Sequence, residues 1–229
     1  MNIALILSGG TGTRLGADIP KQYLNVKDRP IISYCMEVLF QHRRIDAVYI
    51  VAATEWQELI EEQVHILDRE HKFRGFSRPG ENRQLSIRNG LEEMRAYVKN
   101  EDYVLIHDAA RPLLTDKLIE DSFNAAAGHD GVLPVLPMKD TVYQSGDGKK
   151  IMSLLNRSEI FAGQAPETFV FGKYLDANRR LFPDRIRKVN GSTEPAILAE
   201  MDIAMIPGDE KNIKITTQAD LDQWIGTII

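Results

Sequence analysis

One cysteine, Cys35, among 229 residues excludes an intramolecular disulfide and a cysteine-rich metal site. It falls in an apolar stripe with Ile32, Met36 and Leu39 and reads as a small core hydrophobe. Long apolar runs are missing as well. The run Ile3 to Leu7 has no basic flank and is far too short for a signal peptide or a membrane span, so the expectation is a cytoplasmic protein without a membrane partner. Positive charge is not in excess. A formal net charge of −5 argues against a general nucleic-acid binder, although it leaves room for a local basic pocket. No repeat, low-complexity tract or linker divides the chain, so a single domain over residues 1–229 is expected. A globular chain of this length buries roughly three quarters of its unfolded surface, enough for its own core.

What is present alternates. Ile3 to Leu7 reads as a buried strand running into Ser8-Gly9-Gly10-Thr11-Gly12-Thr13-Arg14-Leu15-Gly16. Pro30 to Gln41 reads as a helix with proline in its first turn, Ala47 to Ala52 as a strand, and Trp56 to Asp68 as a helix of mixed periodicity. Asn82 to Lys99 is predicted helical, with Ile87, Leu91, Met94 and Val98 on one face. Tyr103 to Ile106 is a strand ending at His107-Asp108, Thr115 caps a helix through Ala127, and Gly131 to Val135 is a further strand. Such alternation implies an α/β, doubly wound, mostly parallel sheet with right-handed crossovers. From Met138 to Asn156 the pattern changes to a β-hairpin, with a turn at Ser145-Gly146-Asp147-Gly148. An arm of that kind is a natural dimer contact. A short strand is expected at Ile213 to Ile215.

In doubly wound sheets ligands gather at the carboxyl ends of strands, where both the glycine loop and His107-Asp108 fall. Glycines at 9, 10, 12 and 16 let the backbone approach a ligand and turn amides toward phosphate oxygens. Their spacing misses the dinucleotide fingerprint by one residue, and no Gly-Lys-Ser/Thr follows, so this is neither a Rossmann nor a Walker loop. Glycines alone describe a tight turn equally well. Arg14 within the loop and Lys21 just after it bring the two cations that suit a triphosphate. Asp108 at a strand end is a sensible Mg²⁺ ligand, or else the cap of the following turn. His107 has no second histidine at metal-ligand spacing and reads as a packing or hydrogen-bonding residue. His42, His65, His71 and His129 are scattered and carry no assignable role. Asn156-Arg157 and Asn212-Ile213-Lys214 add polar groups whose default reading is surface.

Taken in order, Gly9-Gly10-Thr11-Gly12-Thr13-Arg14, Pro20-Lys21-Gln22, His107-Asp108-Ala109-Ala110-Arg111-Pro112, Asp140-Thr141, Gln164-Ala165-Pro166-Glu167-Thr168-Phe169 and Asn212-Ile213-Lys214 carry a resemblance. The chain resembles, nearly end to end, the 2-C-methyl-D-erythritol 4-phosphate cytidylyltransferases and their relatives, the ribitol-5-phosphate cytidylyltransferases. The resemblance implies a Rossmann-like nucleotidyltransferase fold, CTP and a polyol phosphate as substrates, Mg²⁺ as cofactor, and a homodimer joined through the arm. It implies that Arg14 and Lys21 hold the CTP phosphates and that Lys214 approaches the α-phosphate. Gly9, Gly10, Gly12, Gly80 and Ser86 would line the nucleotide site, and Asp108 would bind the metal. Arg111, Thr141, Arg157 and Thr193 would surround the acceptor, some of them arriving from a partner's arm. Ser8-Gly9-Gly10 and the Gly163 to Phe169 segment look like the ribitol branch, and Ala109-Ala110 like the methylerythritol branch. Thr193-Glu194 stands where both branches usually carry Thr-Asp, and the extra methylene shifts what that carboxylate reaches. The competing readings are a non-catalytic nucleotide-binding protein, marked by loss of the cations or of Asp108, and a dehydrogenase, which the glycine spacing disfavours.

Overall fold

A computed structural model describes residues 1–10 and 19–228. Gly12 and Arg14 lie outside the described residues. In chain order, β1 (Asn2–Leu7) is followed by β2 (Asn25–Val26), β3 (Arg29–Pro30), α1 (Ile31–Gln41), β4 (Ala47–Val51), α2 (Gln57–Leu67) and β5 (Phe73–Ser77). Next come α3 (Arg83–Met94), β6 (Tyr103–Asp108), α4 (Asp116–Ala126) and β7 (Gly131–Pro137). The remainder is β8 (Tyr143–Gln144), β9 (Ser153–Leu154), β10 (Phe161–Gly163), β11 (Glu167–Val170), α5 (Phe171–Leu181), α6 (Glu194–Leu198), β12 (Ile203–Pro207) and α7 (Gln218–Ile228).

The main sheet is mixed and mostly parallel, in the order β10-β7-β11-β6-β1-β4-β5, with β12 added along β7. Strand β1 is central and parallel to both neighbours. Its alternate residues feed two cores, as the strand period of two demands. Ala4 and Ile6 pack with Ile32, Met36 and Leu39 of α1 and with Leu118, Ile119 and Phe123 of α4. Ile3 and Leu5 pack with Ile87, Leu91 and Met94 of α3 and with Phe171 and Tyr174 of α5. Helices on both faces make this the doubly wound, Rossmann-like architecture expected. Cys35 is fully buried in the first core, and burial pushes its thiol up to about 12.

Registers gather the site. Leu7 pairs with Val51 of β4 and Asp108 of β6, and Val51 pairs with Ser77 of β5, so these strand ends and the loops after them lie side by side. Strand β11 runs the other way: Glu167 at its start pairs with Ile106 near the end of β6. That antiparallel insertion brings a late segment of the chain to the same edge.

Several expectations shift. The helix predicted over Asn82 to Lys99 stops at Met94; Tyr97 and Val98 amides both bond the Met94 carbonyl, and this turn returns Val98 to the core. No strand forms at Ile213 to Ile215; the segment is tied instead by the Ile215 amide to the Ala110 carbonyl at 2.9 Å. The arm is present as the pair β8–β9, closed by Asp147, which accepts from the Lys149 and Lys150 amides at 2.8 and 3.0 Å. Residues 143–154 are all exposed, among them Tyr143, Ile151, Met152 and Leu154. Among the described residues no helix is long and apolar enough to cross a membrane.

Candidate active site

Two clefts open at the carboxyl edge of the sheet. The first, about 410 Å³, is lined by Gly9, Gly10, Lys21, Gly80, Ser86, Asp108 and Lys214 among others. The second, about 350 Å³, is lined by Arg111, Gln164, Glu167, Ser192, Thr193 and again Asp108 and Lys214. Arg83 also lines both. Asp108, Arg83 and Lys214 therefore form a wall common to the two.

The first cleft is shaped by hydrogen bonds that fix the backbone of its loops. Gln22, buried beside Lys21, donates its side-chain amide to the carbonyls of Ser8 and Gly10 at 2.7 and 2.8 Å. The Tyr23 hydroxyl adds a bond to the Ser8 carbonyl at 2.9 Å. Drawing these carbonyls toward residues 22 and 23 fixes the path of the loop's opening residues. Gly9 meets the opposite wall, where a Cβ would come within 2.4 Å of Pro79 Cβ, so only glycine allows the two loops to close on each other. At the far wall Asn82 caps α3 by accepting from the Leu85 amide at 2.8 Å. Ser86 Oγ accepts from the Gly80 amide and donates to the Asn82 carbonyl, both at 3.0 Å. A Cβ on Gly80 would lie 2.4 Å from Leu85 Cβ. Gly80 and Ser86 thus shape a tight turn along the cleft.

The common wall is a charge cluster. Asp108 is 7% exposed. Its Oδ1 accepts from Arg83 Nε at 3.0 Å, and its Oδ2 lies 2.9 Å from Lys214 Nζ and 3.7 Å from Arg111 Nε. Burial alone would raise this carboxyl; Arg83, Lys214 and Arg111 outweigh it and hold Asp108 far below the usual carboxylate range. Local bonds set the cluster. Arg111 Nη1 donates to the Asn212 carbonyl at 2.5 Å, which brings Lys214 in, and Asn212 Nδ2 donates to the Ala165 carbonyl at 2.7 Å. His107 is fully buried behind Asp108, with Nε2 3.0 Å from the Arg111 carbonyl. Burial pushes its pKa down to about 4, so it is neutral at pH 7 and donates there, as its reading as a hydrogen-bonding residue expected.

The second cleft holds another carboxylate. Glu167 accepts from Ser192 Oγ and, at 3.3 Å, from Thr193 Oγ1, while Arg83 Nη2 stands 3.7 Å away. Burial raises its pKa. Thr193 lies in this cleft and precedes α6; Glu194, with its longer side chain, accepts from the Asn190 amide at 2.7 Å and so holds the 190–194 loop.

Lys21, Lys214, Gly9, Gly10, Gly80, Ser86, Asp108, Arg111 and Thr193 thus converge on the two clefts. Thr141 and Arg157 do not. Both are exposed on the arm, with Arg157 Nη1 bonded to the Lys139 carbonyl at 2.7 Å. Arg83 and Glu167 went unassigned in the sequence, although Arg83 stands inside the helix predicted from Asn82 and Glu167 inside a quoted motif. A charged residue at the first position of a capped helix, or beside a cis-proline junction, carries no spacing signal of its own. Among the described residues no cluster of three or more His, Cys, Asp or Glu is placed for a metal. One buried carboxylate, Asp108, on the wall of a phosphate-sized cleft suits a divalent ion whose other ligands are phosphate oxygens, not a protein cage.

Residues 2–224 match the IspD family, 2-C-methyl-D-erythritol 4-phosphate cytidylyltransferase. The chain is 37% identical over 220 residues to the 2-C-methyl-D-erythritol 4-phosphate cytidylyltransferase of Syntrophotalea carbinolica, covering 95% of this chain and 91% of that one. It is 32% identical over 225 residues to the ribitol-5-phosphate cytidylyltransferase of Streptococcus pneumoniae serotype 2, covering 96% of each. Among solved structures, the 4-diphosphocytidyl-2C-methyl-D-erythritol synthase of Anaerococcus prevotii shares the fold, with a TM-score of 0.84 at 22% identity over 99% of this chain and 95% of that one. The 2-C-methyl-D-erythritol 4-phosphate cytidylyltransferase of Francisella tularensis does so with a TM-score of 0.81 at 23% identity, over 98% and 99%. The chain belongs to the 2-C-methyl-D-erythritol 4-phosphate cytidylyltransferase family and is a nucleotidyltransferase.

Proposed function

We propose that the protein transfers CMP from CTP to 2-C-methyl-D-erythritol 4-phosphate and releases pyrophosphate, a step of isoprenoid precursor synthesis. The observation that carries this reading is the wall common to the two clefts, where Asp108 is ringed by Arg83, Lys214 and Arg111. A nucleoside triphosphate in the first cleft and a phosphomonoester in the second meet across it. A phosphate oxygen of the acceptor attacks the α-phosphorus of CTP, and the bond from that phosphorus to the oxygen bridging to the β-phosphorus breaks. The acceptor phosphate is already ionised near neutral pH, so no general base is needed. Alignment and charge stabilisation do the catalytic work.

Lys21 and Arg14 hold the triphosphate, the amides about Gly9, Gly10 and Gly12 receive its oxygens, and Gly80 and Ser86 line the base and ribose. Lys214 faces the reacting phosphorus, with Arg83 beside it. Asp108 would hold Mg²⁺ together with phosphate oxygens, and a metal held there would supply neutralisation of phosphate charge. Arg111 and Thr193 receive the acceptor. Thr141 and Arg157 reach the acceptor cleft from the arm of a second copy, whose docking also covers Tyr143, Ile151, Met152 and Leu154 in a homodimer.

Ribitol 5-phosphate is the second reading, favoured by the relative from Streptococcus pneumoniae, which matches 96% of both chains. Pyrophosphate release from CTP, measured with each acceptor in turn, decides between them. Release with neither would overturn the function.

A further inference from the structure

The proposed reaction leaves one buried ionisable group of the acceptor cleft without a task. Glu167 is 7% exposed, yet it is poorly compensated. Asp108 has Lys214, Arg83 and Arg111 at 2.9, 3.0 and 3.7 Å, whereas among the described residues Glu167 has one cationic side chain within 4 Å, Arg83 at 3.7 Å, which points its nearer nitrogen at Asp108. Ser192 and Thr193 each give one hydroxyl bond. An ionised carboxylate offers about four acceptor positions, so these partners leave capacity unfilled. A neutral side chain of the same shape could accept from Ser192 at a smaller desolvation cost, so nothing in the packing calls for a charge here.

The cleft is also polarised. Arg111 and Lys214 stand against Asp108, Arg83 lies between Asp108 and Glu167, and Glu167 bonds Ser192 and Thr193, with Gln164 also in the lining. A phosphate belongs to the cationic side. What remains of an acceptor then lies along neutral hydroxyls and one carboxylate, a surface that wants hydrogen-bond donors and repels negative charge.

We infer that Glu167 is the specificity-determining residue of the acceptor cleft: its carboxylate accepts a hydroxyl of the bound polyol and turns away phosphorylated acceptors that carry a second anionic group. The inference rests on the cytidylyl-transfer reading and adds to it the residue that reads the acceptor's uncharged, hydroxylated end. Glu167 receives no proton from the attacking phosphate and forms no bond to phosphorus.

The test is steady-state pyrophosphate release from CTP by the wild type, Glu167→Gln and Glu167→Asp. The acceptors are 2-C-methyl-D-erythritol 4-phosphate, ribitol 5-phosphate, singly deoxygenated forms of the better one, and a phosphorylated sugar acid. Glu167→Gln is expected to raise the KM for the better acceptor about tenfold to a hundredfold, the usual range for a hydrogen bond to a charged group. The KM for CTP is expected to stay within about twofold. One deoxygenated acceptor should bind wild type and Glu167→Gln alike, because the partner of the carboxylate is gone. The sugar acid should gain on Glu167→Gln relative to wild type. A residue that merely held Arg83 in place would raise the CTP and acceptor KM values together and show no coupling to a particular hydroxyl, and that result overturns the inference. An unchanged acceptor KM overturns it as well. Should Glu167→Gln fail to fold, Glu167→Asp decides on the same readouts, since a shortened carboxylate keeps the charge and loses the contact. A wild type that releases no pyrophosphate with any acceptor brings down the reading of the function itself.

Discussion

The two clefts on either side of Asp108 are built from different materials. The first is shaped by turns at the ends of parallel strands β1, β5 and β6, with glycines where walls touch and a glutamine holding the loop. The second sets Arg83, Asp108 and Arg111 against side chains from the second half of the chain, Glu167, Ser192 and Thr193 among them, carried to the site by the antiparallel strand β11 and the loop before α6. The difference follows from what each must bind. A triphosphate is satisfied by amides and cations that any nucleotide site can offer, whereas an acceptor polyol is told from its neighbours by individual hydroxyl contacts.

Substitutions can break or sharpen this contrast. The largest effect is expected at the common wall. Asp108→Asn leaves Arg83, Lys214 and Arg111 without their shared counter-charge, and kcat/KM should fall by about a hundredfold or more, with both substrates affected. If only one substrate's KM moved, the wall would not be common. Next comes Lys21→Ala, expected to lower turnover by at least about tenfold while the circular dichroism spectrum stays native. Near-normal pyrophosphate release by this variant would count against the triphosphate reading of the first cleft. Gln22→Glu replaces two donated bonds with a carboxylate facing the Ser8 and Gly10 carbonyls; the KM for CTP should rise several-fold and the acceptor KM should not. Partial recovery on lowering the pH, as the new carboxyl becomes a donor, would tie the effect to that hydrogen bond.

The smallest effect concerns stability. Because His107 titrates near 4 in the fold and at about 6.5 when unfolded, only the unfolded chain takes up its proton between those values. Stability attributable to this residue is therefore present above pH 6.5 and is lost as pH falls toward 4. Its slope reaches at most about 1.4 kcal/mol per pH unit. Glu and Asp residues add their own slope in every variant, so the difference is the readout: His107→Gln, which can still donate to the Arg111 carbonyl, should show a flatter fall in urea-unfolding free energy between pH 7 and 4. Equal slopes would mean that the histidine is not buried neutral.

Legibility follows the same division. The helices α1 and α4 and the strands β1, β4, β6 and β7 were readable because each has a buried face with a regular period, and Thr115 accepts from the Leu118 amide at 3.3 Å as its position before an apolar helix announces. Lys21 and Asp108 were readable from their place after strands. Glu167 was not, because a reading built on parallel alternation has no place for β11, and a four-residue strand carries too little pattern to reveal its direction. Lys214 owes its position to the Ile215 amide and the Ala110 carbonyl, partners more than a hundred residues apart. Arg83 takes its role only from the carboxylates that the fold sets beside it.

From the sequence alone come the alternation of elements, the central strand β1, the glycine loop and the motifs that mark the family, since all of these rest on local period or on neighbours in the chain. The tertiary structure alone decided that Asp108, Arg83 and Lys214 stand between two clefts and that Glu167 faces the second. Such arrangements depend on strand register and on contacts between distant segments, and one residue's identity says nothing of which distant charge will come within hydrogen-bonding reach.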